Sequence, residues 1–103
     1  MSIVAEIRYH FHGVVCMKAK FSGNYLQLGL KISYYRKLRG LTQEQLAEQV
    51  GRTPAFIGHV EAPNIRKAVS LDTLFEIAEV LDVPADKFLM YDPDDLKGHD
   101  LRG

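Results

Sequence analysis

The feature that most constrains this chain is a break between two short apolar runs. In the segment TQEQLAEQVGRTPAFIGHVE, residues 42–61, each run has helical spacing, and Gly51 separates the two. Each run is too short to be stable as an isolated helix, which needs about 12 to 15 residues in water. Glycine accepts the positive φ that a tight turn commonly demands. The pattern therefore predicts two short helices that cross at a steep angle.

Residues that start helices surround this break. Thr42 and Gln45 have the spacing of a capping box, which predicts the start of the first helix of the pair. Thr53 can cap the next helix, and Pro54 suits its first position because no amide donor is needed there. Ala47 is small at the point where the two helices must cross. The sequence thus predicts that one helix ends at the glycine and that the next begins shortly after it.

The same periodicity continues on both sides of this pair. Apolar spacing predicts a first helix from Tyr25 to about Arg39, a fourth helix that Ser70 opens, and a short fifth helix carrying Phe88 and Leu89. The chain should therefore be mainly α, with five helices. The predicted inner faces comprise Leu28, Ile32, Tyr35, Leu46, Ala47, Val50, Ile57, Val60, Leu71, Leu74, Ile77, Ala78 and Leu81.

The first 24 residues have the periodicity of strands. Apolar and polar residues alternate over residues 3–12, and a loop at residues 12–14 would pair this run with residues 15–21 in a β-hairpin. The apolar face of a hairpin needs cover, either from the chain's own helices or from a second copy. Met17 leaves open that translation begins there. We divide the chain into an extension over residues 1–24, a helical domain over 25–90 and a polar tail over 91–103.

Hydrophobicity and charge indicate where the protein is found and what it binds. No apolar run of the 103 residues is long enough to span a bilayer and no signal-peptide pattern is present, so we expect a cytoplasmic protein. The net charge of zero argues against a nucleic-acid partner. Residues 25–67, however, carry seven bases and three acids, or +4, whereas residues 68–103 carry three bases and nine acids, or −6. One half of the molecule could therefore approach a polyanion.

The sequence holds no pattern typical of a catalytic or metal site. Cys16 is the only cysteine, which excludes an intrachain disulfide and a thiolate cluster for zinc. His10 and His12 share one face of the predicted strand, but two imidazoles without a third ligand are usually solvated. Paired acids and a glycine-rich phosphate loop are both missing. We expect neither enzymatic activity nor a metal or other cofactor.

From Leu28 to Leu89 the chain resembles the Cro and phage-repressor class of DNA-binding domain, also called the xenobiotic-response-element type. The segments LGLKISYYRKLRGLTQEQLAEQVG and SLDTLFEIAEVLDVPADKFL carry the resemblance. It implies a five-helix, lambda-repressor-like domain, here with an N-terminal strand or hairpin extension. The implied function is a transcriptional regulator, most simply a repressor that binds a palindromic operator as a homodimer. The alternative is an antitoxin or other protein-interaction module whose DNA binding is autoregulatory.

The resemblance also implies which residues contact double-stranded DNA. The second helix of the class begins at a phosphate, which points to Thr42 and Gln43, and the third helix enters the major groove. The base-reading positions are then Arg52, Thr53, Pro54, Ala55, Gly58 and His59. Three of them offer no side-chain hydrogen bond, which leaves Thr53 and Ala55 for thymine methyl groups and Arg52 or His59 for guanine.

Two further regions depart from the pattern of the class, at Phe56 and in the loop after the third helix, and one pair of residues matches it. Phe56 either lies against the sugar-phosphate wall or packs partly into the core. The loop after the third helix offers Asn64, Arg66 and Lys67 to phosphates, unless it is a mobile loop with incidental charge. Arg36 and Glu61 match positions that form a partly buried ion pair between the first and third helices. A catalytic role for Glu61 is the alternative, which no second acid, histidine or nucleophile supports.

Overall fold

A computed structural model of the chain describes residues 19–64 and 67–90. A single 3₁₀ turn at Ala19–Phe21 leads into five α-helices, so the predicted five-helix, mainly α fold is confirmed. The helices are α1 (Ser22–Leu38), α2 (Gln43–Val50), α3 (Pro54–Glu61), α4 (Leu71–Leu81) and α5 (Asp86–Leu89). Within the described ranges, no helix is long and apolar enough to cross a membrane.

Helix α1 begins earlier than the sequence predicts. It starts at Ser22, and the strand prediction is wrong for Ala19–Phe21, which form the 3₁₀ turn. No side chain caps the first turn of α1, so the sequence lacks the signal that usually marks a helix start. Once a helix exists, each added residue gains one hydrogen bond, and the helix extends past the predicted boundary. The rest of the predicted hairpin, with His10, His12, Cys16 and Met17, lies outside the described residues, as does the tail after residue 90.

The core lies where the five helices meet. It contains the predicted apolar residues with two exceptions, and Val83 and Phe88 complete it. Tyr35 is only half-buried and packs edge-on against Phe88, with ring centroids 5.3 Å apart. Leu71 was predicted to be buried and is instead 59% exposed. Leu71 is the first residue of α4, and at this end of the helix its side chain does not reach the core.

The predicted capping box opens α2 and the predicted glycine turn closes it. The Gln45 amide donates to Thr42 Oγ1 at 3.0 Å, and the Thr42 amide donates to Gln45 Oε1 at 2.8 Å. Gly51 follows the helix with a φ of 70°, in the left-handed region that a side chain would disfavour. The turn directs α3 across α2, and Ala47 is almost completely buried in the core beneath them.

Helices α1 and α3 approach each other closely at Gly29. A Cβ atom added to Gly29 would fall far inside the van der Waals radius of the Val60 carbonyl oxygen, which belongs to the backbone of α3. Backbone atoms in packed helices cannot move aside independently. Gly29 is therefore required for the spacing that brings the end of α3 against α1.

Replacing Gly29 with alanine should push α3 away from α1. We expect Gly29→Ala to lower the free energy of unfolding by about 1 to 3 kcal/mol, measured by urea denaturation, because overpacked sites force backbone shifts. Gly58→Ala is the matched control, since its added Cβ would lie 3.5 Å from Gln43 Oε1, an ordinary contact. The control should be neutral or more stable by up to about 1 kcal/mol, from helix propensity. Equal stability of Gly29→Ala and the parent would contradict the close approach.

Candidate nucleic-acid interface

The end of α3 is tied to α1 by the two residues that the sequence predicts to pair. Arg36 Nε donates to Glu61 Oε2 at 2.7 Å, and Arg36 Nη2 donates to Glu61 Oε1 at 2.8 Å. The side chains of Arg36 and Glu61 are only 9% and 4% exposed. The geometry is bidentate, which adds orientation to the charge attraction. Arg36 and Glu61 therefore fix the direction of α3 relative to α1.

Two further contacts extend this pair to α2. Arg36 Nη1 donates to the Leu41 carbonyl oxygen at 2.8 Å, in the loop before α2. Gln43 Nε2 donates to Glu61 Oε1 at 3.0 Å, from the first residue of α2. We call the set formed by Arg36, Leu41, Gln43 and Glu61 the carboxylate network. Since both oxygens of Glu61 accept fixed donors, the geometry suits a structural role for this carboxylate.

The start of α2 keeps backbone donors that the cap does not use. The capping box uses the amides of Thr42 and Gln45. The amides of Gln43 and Glu44 lie in the first turn, where a helix has no carbonyl partner for them. Because the helix dipole adds partial positive charge there, this turn is suited to an anion such as a phosphate. The Gln43 side chain, by contrast, is already bonded to Glu61.

The start of α3 is the part of that helix that faces solvent. Thr53, Pro54 and Ala55 are exposed, His59 is exposed one turn further on, and Gly58 is half-buried. Thr53 Oγ1 accepts the Phe56 amide at 3.1 Å, which caps the helix as predicted. The opposite side of α3 places Ile57 and Val60 in the core. We call the set formed by Thr53, Pro54, Ala55, Gly58 and His59 the exposed strip; it contains the predicted reading positions other than Arg52.

Arg52 is engaged by the protein itself, which the sequence did not indicate. Its Nη2 donates to Thr73 Oγ1 at 2.7 Å, and its guanidinium lies 5.3 Å from the centre of the Phe56 ring. Thr73 is buried in the first turn of α4, and its hydroxyl oxygen also accepts the Ser70 hydroxyl at 3.0 Å. Arg52 therefore joins the start of α3 to the start of α4. Thr73 is 21 residues away in sequence, and no spacing rule relates the two positions.

Phe56 combines partial core packing with contacts to cations. The half-buried ring packs against the core cluster, which is one of the two roles that the sequence left open. Lys67 Nζ lies 5.4 Å from the ring centre, at a distance typical of cation–π attraction. Asn64 is exposed in the turn that follows α3. Arg66 lies outside the described residues, so of the three predicted loop contacts the structure places Asn64 and Lys67.

Some of the bases that the sequence counted towards a basic half have structural partners. Arg39 Nε donates to the Leu81 carbonyl at 2.6 Å, and its Nη2 donates to the Asp82 carbonyl at 3.1 Å. Arg39 thereby satisfies carbonyl groups at the end of α4. Lys31 donates to the Met90 carbonyl in the same way. The excess of +4 in residues 25–67 is thus not all available to a ligand. Within residues 19–64 and 67–90 no group of three or more potential metal ligands occurs.

Breaking the carboxylate network should reveal how strongly it holds α3. Arg36→Ala leaves a buried carboxylate without its counter-charge, and Glu61→Ala leaves a buried guanidinium. Each should lower the free energy of unfolding by about 3 kcal/mol in thermal or urea denaturation. The double variant should cost clearly less than the sum of the two single variants, because the pair is lost only once. Strict additivity would contradict an energetic coupling between Arg36 and Glu61.

Comparison with known proteins gives a consistent result. The helix-turn-helix family model HTH_3 matches residues 32–88, which is more than half of the chain and spans α2 and α3. A search of curated proteins found no match.

Several solved structures have a similar fold. The restriction-modification controller protein C.AhdI from Aeromonas hydrophila is 28% identical, with a TM-score of 0.57, over 62% of this chain and 94% of that one. SinR, the master regulator for biofilm formation, was solved in complex with DNA and is 30% identical, with a TM-score of 0.57, over 61% of this chain and 98% of SinR. PlcR from Bacillus thuringiensis, solved with a peptide and DNA, is 32% identical, with a TM-score of 0.56, over 72% of this chain and 26% of PlcR.

Proposed function

The chain belongs to the HTH_3 family of helix-turn-helix proteins, and from that membership we propose that it is a sequence-specific DNA-binding transcriptional regulator. The observation that carries the proposal is the exposed strip at the start of α3, on a helix that contacts within the protein hold at both ends. The carboxylate network fixes the end of α3, and Arg52 joins its start to α4. A binding surface on a fixed helix loses little conformational freedom when it meets its ligand. Two similar structures, SinR and PlcR, were solved with DNA.

In this proposal α3 lies in the major groove and α2 begins at a phosphate. The exposed strip faces base edges, through Thr53, Pro54, Ala55, Gly58 and His59. The free amides at Gln43 and Glu44 receive a phosphate oxygen, beside Thr42. Phe56, Asn64, Arg66 and Lys67 adjoin the sugar-phosphate backbone. Arg52 contributes through its position next to Phe56, and its positive charge remains near the DNA.

We further propose that the protein acts as a homodimer on a palindromic operator and represses by occluding it. One recognition helix covers only a few base pairs, so a second copy about 34 Å away is needed for a specific site. An apolar groove between α1, α4 and α5 supports this association. Its rim includes side chains that are 44 to 62% exposed, those of Phe21, Leu71, Leu89 and Met90. A second copy would cover this apolar surface.

The first test of DNA binding is its dependence on salt. The protein should bind random duplex DNA at low salt, and its affinity should fall steeply between about 50 and 200 mM salt as phosphate contacts release counterions. Fluorescence anisotropy with a labelled duplex measures both quantities. Selection from a pool of random duplexes should then return a site with twofold symmetry. Failure to bind any duplex at low salt, or an affinity that does not change with salt, would contradict the proposal that the protein is a DNA-binding regulator.

The dimer can be tested by placing a charge in the groove. Leu71→Glu should shift the mass measured by analytical ultracentrifugation from dimer towards monomer, because each interface would then contain uncompensated carboxylates. An acidic residue is well tolerated in the first turn of a helix, so the fold should persist. Leu38→Glu is the matched control, since Leu38 is 58% exposed, close to the 59% of Leu71, but lies outside the groove. Equal masses for the two variants would contradict a dimer formed through the groove.

The N-terminal extension, which the sequence predicts over residues 1–24 and which α1 shortens at Ser22, has a separate test. We propose that it reinforces the dimer, because the alternating apolar residues at positions 3–11 predict a strand face that needs cover. Deleting residues 1–16 removes none of the described helices. The truncated protein should show weaker self-association and weaker operator binding. An unchanged dimer that binds the same operator equally well would contradict this role.

A further inference from the structure

The exposed strip of α3 is poor in groups that read bases by hydrogen bonding. Pro54, Ala55 and Gly58 have no polar side-chain atoms, and Pro54 also lacks a backbone N–H. The Phe56 amide donates to Thr53 Oγ1, so the cap uses one backbone donor of the first turn and one lone pair of the Thr53 hydroxyl. His59 is the remaining exposed side chain of α3 with a ring donor or acceptor. The strip therefore presents mainly carbon atoms to a ligand.

Two longer polar side chains beside the strip are held by the protein. Gln43, at the start of α2, donates to Glu61 at 3.0 Å and lies close to Gly58. Arg52 donates to Thr73 at 2.7 Å and lies over the Phe56 ring. Glutamine and arginine are the usual readers of adenine and guanine. Each would have to break a contact within the protein before it could take up that role.

An apolar strip can still distinguish bases in the major groove. Thymine carries a methyl group on C5, and alanine and other small apolar groups contact it favourably. The same methyl group is present on 5-methylcytosine. Neither cytosine nor uracil has it. Short side chains and the half-buried Gly58 also allow the helix to approach the groove closely, which brings such methyl groups within van der Waals contact.

We propose that α3 selects its DNA site by the C5 methyl groups of pyrimidines in the major groove, through Pro54 and Ala55. This inference rests on the proposed DNA-binding function and specifies what that function recognises. Arg52 and Gln43 hold α3 in place and do not read bases. Specificity then comes mainly from apolar contact and shape, with the Thr53 hydroxyl and His59 as the polar groups of the strip.

The test uses the full chain and the duplex that it selects from a random pool. Each thymine of that site is replaced in turn by uracil, which keeps every hydrogen-bonding group and lacks only the methyl group. At one or two positions in each half-site the affinity should fall about fourfold, the effect expected for one buried methyl-sized group. At those positions a 5-methylcytosine–guanine pair should bind better than a cytosine–guanine pair. Equal binding of all uracil-containing duplexes and the parent duplex would overturn the proposal.

Variants of the protein locate the contact. Ala55→Gly should abolish the difference between thymine and uracil at one position, because the carbon that meets the methyl group is gone. Ala85→Gly is the matched control, since it also removes one methyl group but lies at the start of α5, and its preference for thymine should match that of the parent. A thymine preference that Ala55→Gly leaves intact at every position would overturn the assignment to Ala55.

A third variant tests the role of Arg52. Site selection with Arg52→Ala should return the same bases at every position, even if overall affinity falls. Loss of a guanine preference in that variant would show that Arg52 reads a base and would overturn the proposal. The outcomes also separate the two levels of inference. Salt-sensitive binding without any effect of uracil overturns only the proposal that α3 recognises C5 methyl groups. No binding to duplex DNA overturns that proposal and the proposed regulator function together.

Discussion

The Glu61 carboxylate is the constraint on which the arrangement of the first three helices depends. It is buried at the end of α3 and accepts donors from Arg36 in α1 and Gln43 in α2. A buried carboxylate without partners costs several kcal/mol, so these helices are stable together only in the orientation that supplies all of its donors. Arg36 also bonds the Leu41 carbonyl in the loop before α2. The carboxylate network thus specifies the orientation of these helices more narrowly than apolar packing alone does.

The opposite end of α3 is held in a different way. Arg52 reaches the Thr73 hydroxyl, and its guanidinium and Lys67 both lie near the Phe56 ring. These contacts join the turn before α3 to the start of α4 and to the loop between them. With both ends fixed, the exposed strip has a defined direction before any ligand arrives. As a consequence, Gln43 and Arg52 beside the strip already have hydrogen-bond partners within the protein. The exposed strip beside them carries Pro54, Ala55 and Gly58, which have no polar side-chain atoms.

Much of this architecture was predictable from local rules. The capping box at Thr42, the glycine turn at Gly51 and the threonine cap at Thr53 depend on residues within four positions of one another, and the structure has all of them. The boundary of α1 was harder to predict, because its start lacks a capping side chain. Burial of Leu71 was predicted wrongly for a related reason. Helical spacing identifies a face, but it does not tell which residues of the first turn reach the core.

The sequence by itself determined the number of helices, their caps and most of the apolar core, because these properties arise from periodicity and from neighbouring residues. It also placed Arg36 opposite Glu61, through resemblance to a known class. Only the tertiary structure decided three contacts. Gln43 donates a further hydrogen bond to the Glu61 carboxylate, Gly29 leaves room for the close approach of the α3 backbone, and Arg52 donates to Thr73. Each of these contacts joins elements that are distant in the chain, with Arg52 and Thr73 separated by 21 residues. Such partners are set by the angle and distance between packed helices, and no local pattern encodes either quantity.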